Sequence, residues 1–256
     1  MPSWKFTPLE LQVAYQHLGA DRLPFPLVST IAGDTQDDVE RATREAGRTF
    51  VEKFEQDGDD IYVALSLVAG PPVQIVMVGV LTENAQLLRA RIGIDHRNVA
   101  VLKQEGSIEG QECSDVTLGL VSRAQLGQLI HAILKKLSPG QYQAPSISRR
   151  DLDPDSHYDN VFGSSSGQSG YQQAVNFYNR PTSSVGEIIV SSEQVMDPRV
   201  VGKGRVLKWF NYTNDGMYLL RDGSDPVVTV PATVDAIGRE IMSLVTEAEE
   251  TLADEY

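Results

Sequence analysis

Cysteine, basic residues and histidine are all scarce in this 256-residue chain, and each scarcity argues against a class of protein. The one cysteine, Cys113, cannot form an internal disulfide, so a reducing compartment fits best. Lysine and arginine total 22 against 35 aspartates and glutamates, and a net charge of −13 repels phosphate backbones, so we expect no nucleic-acid partner. The four histidines lack metal-ligand spacing, and we predict no metal or cofactor.

Long apolar runs are also missing. The most apolar stretch, residues 61–81, is interrupted by Gly70, Pro71 and Pro72, which predicts two strands joined by a turn and no membrane insertion. Residues 1–5 do not combine a basic region with a following apolar run, so we predict no secretory signal. The composition, 41% hydrophobic and 22% charged, is typical of a soluble globular protein, and we expect a cytoplasmic one.

A series of short strands followed by a helix is the clearest pattern that the chain does contain. Strands are predicted over residues 187–190, 205–212, 217–220 and 227–230. Asn214, Asp215 and Gly216 form the turn between two of them, because Asp-Gly tolerates the positive φ of a tight hairpin. The helix after Pro231 has apolar residues three and four positions apart, namely Val234, Ile237, Ile241, Val245 and Ala248.

The same pattern occurs earlier in the chain. Strands at 97–104 and 116–121 precede a helix whose apolar positions match those of the last helix at an offset of about 108 residues. We interpret this as two related halves, about 1–140 and 185–256, that share one central antiparallel sheet in a single α+β domain over 1–256. The alternative is that any two amphipathic helices can be aligned in this way.

The first 140 residues supply further elements. Thr7 and Glu10 form a capping-box pattern around Pro8, which predicts a helix that ends at Gly19. A second helix is predicted from about Thr35, with an exposed turn at 57–60. Residues 61–68 and 73–81 are predicted to form a hairpin of two apolar strands, and 88–95 continues the sheet.

Between the halves, residues 141–184 form a predicted helical and loop insertion that is rich in Asp, Ser and Gly around 151–170. Its aromatic residues have two open interpretations, which are packing onto the sheet and a pocket for a partner. This group consists of Tyr158, Phe162, Tyr171, Phe177 and Tyr178.

Two motifs in the insertion imitate functional sites without their context. Residues 163–167 match G-x-S-x-G, but a polar loop precedes them where a nucleophile elbow needs a strand. Residues 151–155 resemble the start of a calcium loop, yet Ser156 and Phe162 stand where Gly and Glu are needed. We therefore expect a binding protein and not an enzyme.

Several segments form a recognisable set, namely WKFTPLEL at 4–11, Leu18-Gly19, DRLPFPL at 21–27, GRVL at 204–207, the Asp215-Gly216 turn and VPA at 230–232. Together they resemble the EspG family, the cytosolic chaperones of type VII (ESX) secretion. The strands between residues 61 and 122 follow the same order, so the resemblance covers nearly the whole chain.

The resemblance implies two quasi-symmetric halves around a central antiparallel sheet and binding of a PE–PPE heterodimer at the tip of the PPE subunit. The family's contact surface involves the sheet, a loop between early strands and a helical bundle. Here these correspond to partner-binding residues Thr82, Glu83, Asn84, Leu87, Leu152, Tyr158, Phe162, Phe177, Tyr178 and Trp209. The alternatives are a homo-oligomeric scaffold, with a homodimer as its simplest form, and an enzyme with an unrecognised cleft site.

Overall fold

The computed structural model describes most of the chain. The described residues are 2–30, 33–81, 85–107, 113–134, 138–145, 148, 170–201, 204–221 and 225–254. The strands are β1 Ser3–Phe6, β2 Val73–Leu81, β3 Gln86–Ile94, β4 Asn98–Ser107, β5 Cys113–Ser122, β6 Thr182–Ser191, β7 Arg205–Tyr212, β8 Gly216–Arg221 and β9 Val228–Pro231. The helices are α1 Pro8–His17, α2 Gln36–Ala69, α3 Leu126–Leu134, α4 Gly170–Tyr178, α5 Pro198–Val201 and α6 Val234–Asp254, and a 3₁₀ turn at Arg123–Gln125 leads into α3.

All nine strands form one antiparallel sheet in the order β1-β5-β4-β3-β2-β6-β7-β8-β9. The strands β2–β5 form one meander that leads into α3, and β6–β9 form another that leads into α6. The two meanders meet where β2 pairs with β6. This confirms the predicted α+β class with a central antiparallel sheet, while the quasi-symmetry of the halves stays a prediction.

Two layers of helices cover the two faces of the sheet. On the α3–α6 face, Ile130 of α3 and Ile237 and Ile241 of α6 pack on apolar residues of every strand from β2 to β8. On the α1–α2 face, Leu11 of α1 and Ile61 of α2 pack on β4 and β5. Successive residues of a strand point to opposite faces, so strands that are buried on both faces are apolar throughout.

The start of α1 is capped as the sequence predicts. The Thr7 hydroxyl accepts the Glu10 N–H at 3.2 Å, and the Glu10 carboxylate accepts the Thr7 N–H at 2.8 Å. Lys53 of α2 donates to the same carboxylate at 2.8 Å, which joins the two helices. The helix ends before Gly19, whose φ of +84° suits glycine.

The predicted strand at 61–68 is wrong, and so is the predicted hairpin with 73–81. Helix α2 continues to Ala69 and passes the expected turn at 57–60 with a kink at Asp57, where φ is −134°. Ile61, Leu65 and Val68 are spaced four and three residues apart, so one helical face buries all three, while Tyr62 stays 58% exposed. The β-branched content of this run favours a strand, but its burial follows the helical period.

Arg91 of β3 is the largest fully buried side chain in the described part of the molecule. Its guanidinium donates to the carbonyl oxygens of Val68 at 3.0 Å, Val195 at 3.0 Å and Met196 at 3.3 Å. Burial lowers the pKa of Arg91, with Tyr15 and Asp197 acting in the opposite direction. These bonds join the end of α2 and the segment after β6 to the middle of the sheet.

Candidate functional site

Four of the predicted partner-binding residues, Leu87, Phe177, Tyr178 and Trp209, lie in the described part of the chain. The other six, Thr82, Glu83, Asn84, Leu152, Tyr158 and Phe162, lie outside the described residues. The G-x-S-x-G and calcium-like motifs also lie outside them.

These four residues lie towards one end of the sheet, on two different faces. We call it the hairpin end, because β2 stops there at Leu81 and β3 starts there at Gln86. Ser184 near the start of β6 pairs with Leu81, and Thr182 pairs with Tyr212 at the end of β7. The end of α4 at Tyr178 lies only a few residues before β6.

A small cleft of about 40 Å³ lies at the hairpin end on the α3–α6 face. Its apolar part is Leu81, Leu87, Leu88, Ile133, Leu134 and Trp209, and its polar part is Gln86, Lys103, Glu105 and Ser184. Lys103 and Glu105 form an ion pair of 2.7 Å. The cleft therefore includes two of the predicted residues, Leu87 and Trp209.

Two glycines make room for Trp209 against the sheet. Trp209 pairs with Gly186 across β6 and β7, and Gly186 pairs with Gly79 across β6 and β2. A Cβ atom at Gly79 or Gly186 would overlap the Trp209 indole. The indole thus lies across three strands and is 3% exposed, so it forms part of the cleft wall from a buried position.

Phe177 and Tyr178 of α4 pack on the opposite face of the sheet. The Phe177 ring lies 5.4 Å from Tyr212 and 5.1 Å from Tyr218, in edge-to-face geometry. Tyr178 shares a hydrogen bond of 2.7 Å with the Thr229 hydroxyl. The packing interpretation is confirmed for these two aromatic residues, while a direct contact with a partner stays a prediction.

Arg180 and Asp215 form a cluster beside these rings that the sequence did not reveal. The Arg180 guanidinium lies 2.7 Å from the Asp215 carboxylate and 3.8 Å from the centre of the Tyr212 ring. Burial raises the pKa of Tyr212 to about 12, against the opposing effect of Arg180. Asp215 was predicted as a turn residue, but an ion pair between residues 35 positions apart leaves no local pattern.

The described residues offer little for acid–base or metal chemistry. No three metal-ligating side chains come together within the described ranges. His131 and Asp235 lie 2.9 Å apart on α3 and α6, but their side chains are 46% and 69% exposed. None of the described helices is long and apolar enough to cross a membrane.

A family model described as the EspG family matches residues 7–242. The chain belongs to the EspG family. EspG proteins are chaperones associated with type VII secretion and not enzymes, so this EspG protein is a secretion chaperone that interacts with substrates of that system.

Two further comparisons add no functional information about this EspG chain. No curated protein matches it. Among solved structures, it aligns with the crystal structure of HtdX(Rv0241c) from Mycobacterium tuberculosis at 9% identity and a TM-score of 0.19. That alignment covers 90% of this chain and 98% of the other. A TM-score this low does not establish a shared fold.

Proposed function

We propose that this EspG protein binds a PE–PPE heterodimer in the cytoplasm at the tip of the PPE subunit. The chaperone keeps the apolar tip in solution and delivers the pair for type VII secretion. Family membership supports the chaperone role, and the cleft at the hairpin end supports this location for the contact.

The observation that supports this location is the mixed apolar and charged lining of the cleft. Leu81 and Leu88 offer apolar surface, while the Lys103–Glu105 pair supplies charge of both signs beside it. An apolar anchor with a polar surround is the usual arrangement of binding hot spots. A small cleft of this kind suits one apolar side chain from a helical partner.

A substitution at Leu88 tests the location, because Leu88 packs on the α3–α6 face of β3, where the cleft lies. Leu88→Asp places a charge at a half-buried position of the cleft, so its affinity for the PE–PPE pair should fall at least about tenfold. Val51→Asp is the matched control, because Val51 is 54% exposed on α2, on the other side of the sheet. Isothermal titration calorimetry gives both affinities, and circular dichroism shows whether each variant is folded.

The outcomes separate the candidate functions. Equal affinity of Leu88→Asp and the unchanged chain would contradict the cleft as the contact. Absence of binding to any folded PE–PPE pair would contradict the proposal that a PE–PPE heterodimer is the substrate. A concentration-dependent dimer in sedimentation that excludes the pair would favour the scaffold alternative.

A further inference from the structure

A single buried carboxylate holds the chain on both sides of the segment between α3 and β6. Asp215 lies in the β7–β8 turn, next to Asn214 with φ of +64°, and its side chain is 3% exposed. Its two oxygens are used by different parts of the chain: one accepts from the segment that leads away from α3, and the other accepts from Arg180, just before β6.

On the incoming side, residues 138–142 lie along β8. Met217 donates its N–H to the Ser138 carbonyl and accepts the Gly140 N–H, both at 2.9 Å. The Gln141 N–H then donates to Asp215 Oδ1 at 2.7 Å. The Tyr142 N–H donates to the Tyr218 hydroxyl at 2.9 Å, and that hydroxyl lies 2.7 Å from Asp215 Oδ2.

On the outgoing side, Arg180 Nη1 donates to Asp215 Oδ2 at 2.7 Å. Arg180 Nε donates to the Phe177 carbonyl at 3.0 Å, which fixes the end of α4. The guanidinium lies over the rings of Tyr212 at 3.8 Å and Phe177 at 4.2 Å, so cation–π contacts add to the ion pair. Ser184, which lines the cleft, follows four residues later.

We propose that Asp215 and Arg180 are positioning residues, a clamp that sets how α4, which carries the predicted partner-binding residues Phe177 and Tyr178, and residues 138–142 are held at the hairpin end, on the face of the sheet opposite the cleft. The proposal rests on the proposed PE–PPE binding. The β7–β8 ladder has its own backbone pairs from Leu207–Arg221 to Tyr212–Gly216, so loss of the clamp leaves the sheet paired. Loss of the clamp should instead change the position and orientation of the segments that join the sheet at the hairpin end.

Asp215→Asn tests the clamp, because it removes the charge while keeping the shape of the side chain. Hydrogen exchange should show amides of Gln141 and Tyr142 exchanging at least about tenfold faster, and affinity for the PE–PPE pair should fall at least about fivefold. Tyr218→Phe, which removes only the hydroxyl between Tyr142 and Asp215, should act in the same direction and covers the case in which Asp215→Asn fails to fold.

Asp197→Asn is the matched control. Asp197 also pairs with an arginine, Arg199 at 2.6 Å, and Arg199 also lies on an aromatic ring, that of Phe25. This pair follows the far end of β6, so both readouts should stay at their original values. Arg180→Met should weaken binding, and combining it with Asp215→Asn should add little, since both remove the same pair.

The results distinguish two failures. Faster exchange at Gln141 and Tyr142 with unchanged affinity would overturn the clamp as a positioning device and leave the proposed function intact. No binding by the unchanged chain would overturn the proposed function itself. Equal losses of affinity in Asp215→Asn and Asp197→Asn would indicate a general effect on stability and would also overturn the clamp.

Discussion

Asp215 shows how hydrogen bonds decide the charge state of one buried group. Burial acts to raise the pKa of the Asp215 carboxyl, but hydrogen bonds from the Gln141 N–H, the Tyr218 hydroxyl and Arg180 outweigh it and lower the pKa. The carboxylate form is thus favoured in the folded chain. A group with a lowered folded pKa stabilises the fold above its unfolded pKa, and this stabilisation is lost as pH falls through the folded value.

The pH dependence of stability should therefore differ between the unchanged chain and Asp215→Asn. Above about pH 5 the unchanged chain should be more stable by a constant margin, because the unfolded aspartate is already ionised there. Below about pH 4 the margin should shrink, since the unfolded state takes up a proton first. Urea titrations at a series of pH values measure it, and a margin that grows on acidification would contradict the assignment.

Sequence reasoning found Asp215 as a turn residue and not as the centre of a network. The turn follows from Asp-Gly, whose backbone preference is local, and the structure confirms it with Gly216 at φ of +153°. The partners of the carboxylate, Gln141 and Arg180, lie 74 and 35 positions away. Such contacts depend on the way the sheet brings distant segments together, so one sequence cannot reveal them.

The central strands β2, β6 and β7 illustrate how an element adapts to one large side chain. Gly79 and Gly186 weaken the intrinsic strand preference of β2 and β6, yet they leave the space that Trp209 fills. The strands themselves were predicted, because their apolar runs are bounded by turn residues. The space that Trp209 fills was not predicted. It depends on which residues of neighbouring strands lie opposite each other, and the sequence does not give that register.

Gly79→Ala should destabilise the fold by about 2 kcal/mol, because its Cβ would overlap the Trp209 indole in a packed core. Trp209→Leu alone should also destabilise, through loss of buried area. The double variant should be more stable than the sum of the single effects predicts, since the leucine relieves the overlap. Denaturation followed by circular dichroism measures the free energy of unfolding of all three variants. Strictly additive losses would contradict the proposed packing of Trp209 against these glycines.

Helix α2 shows the opposite case, in which composition misled the interpretation. Residues 61–68 are rich in apolar and β-branched side chains, and the nearby Asp57 and Gly58 suggested a turn. The chain instead kinks at Asp57, whose carboxylate accepts the Trp4 indole N–H at 3.0 Å. Packing of Ile61, Ala64 and Leu65 on the sheet favours the helix over the predicted strand, and that packing is a tertiary effect.

Across the whole molecule, the predicted class, the helix caps and most strands agree with the structure, whereas strand order goes beyond the sequence. The pairing of β2 with β6 joins segments more than a hundred residues apart and closes the sheet between its two meanders. Family membership is shown over residues 7–242 and makes this chain a type VII secretion chaperone. The proposed contact surface lies where this pairing ends, since Leu81 of β2 and Ser184 of β6 pair there and both line the cleft.

Hydrogen exchange of the chain with and without a bound PE–PPE pair locates the contact without any substitution. We predict slower exchange in residues 85–89 and 182–186 at the hairpin end, with little change in α1 and α2. Protection confined to α1 and α2, with the hairpin end unchanged in a stable complex, would contradict the proposed binding surface.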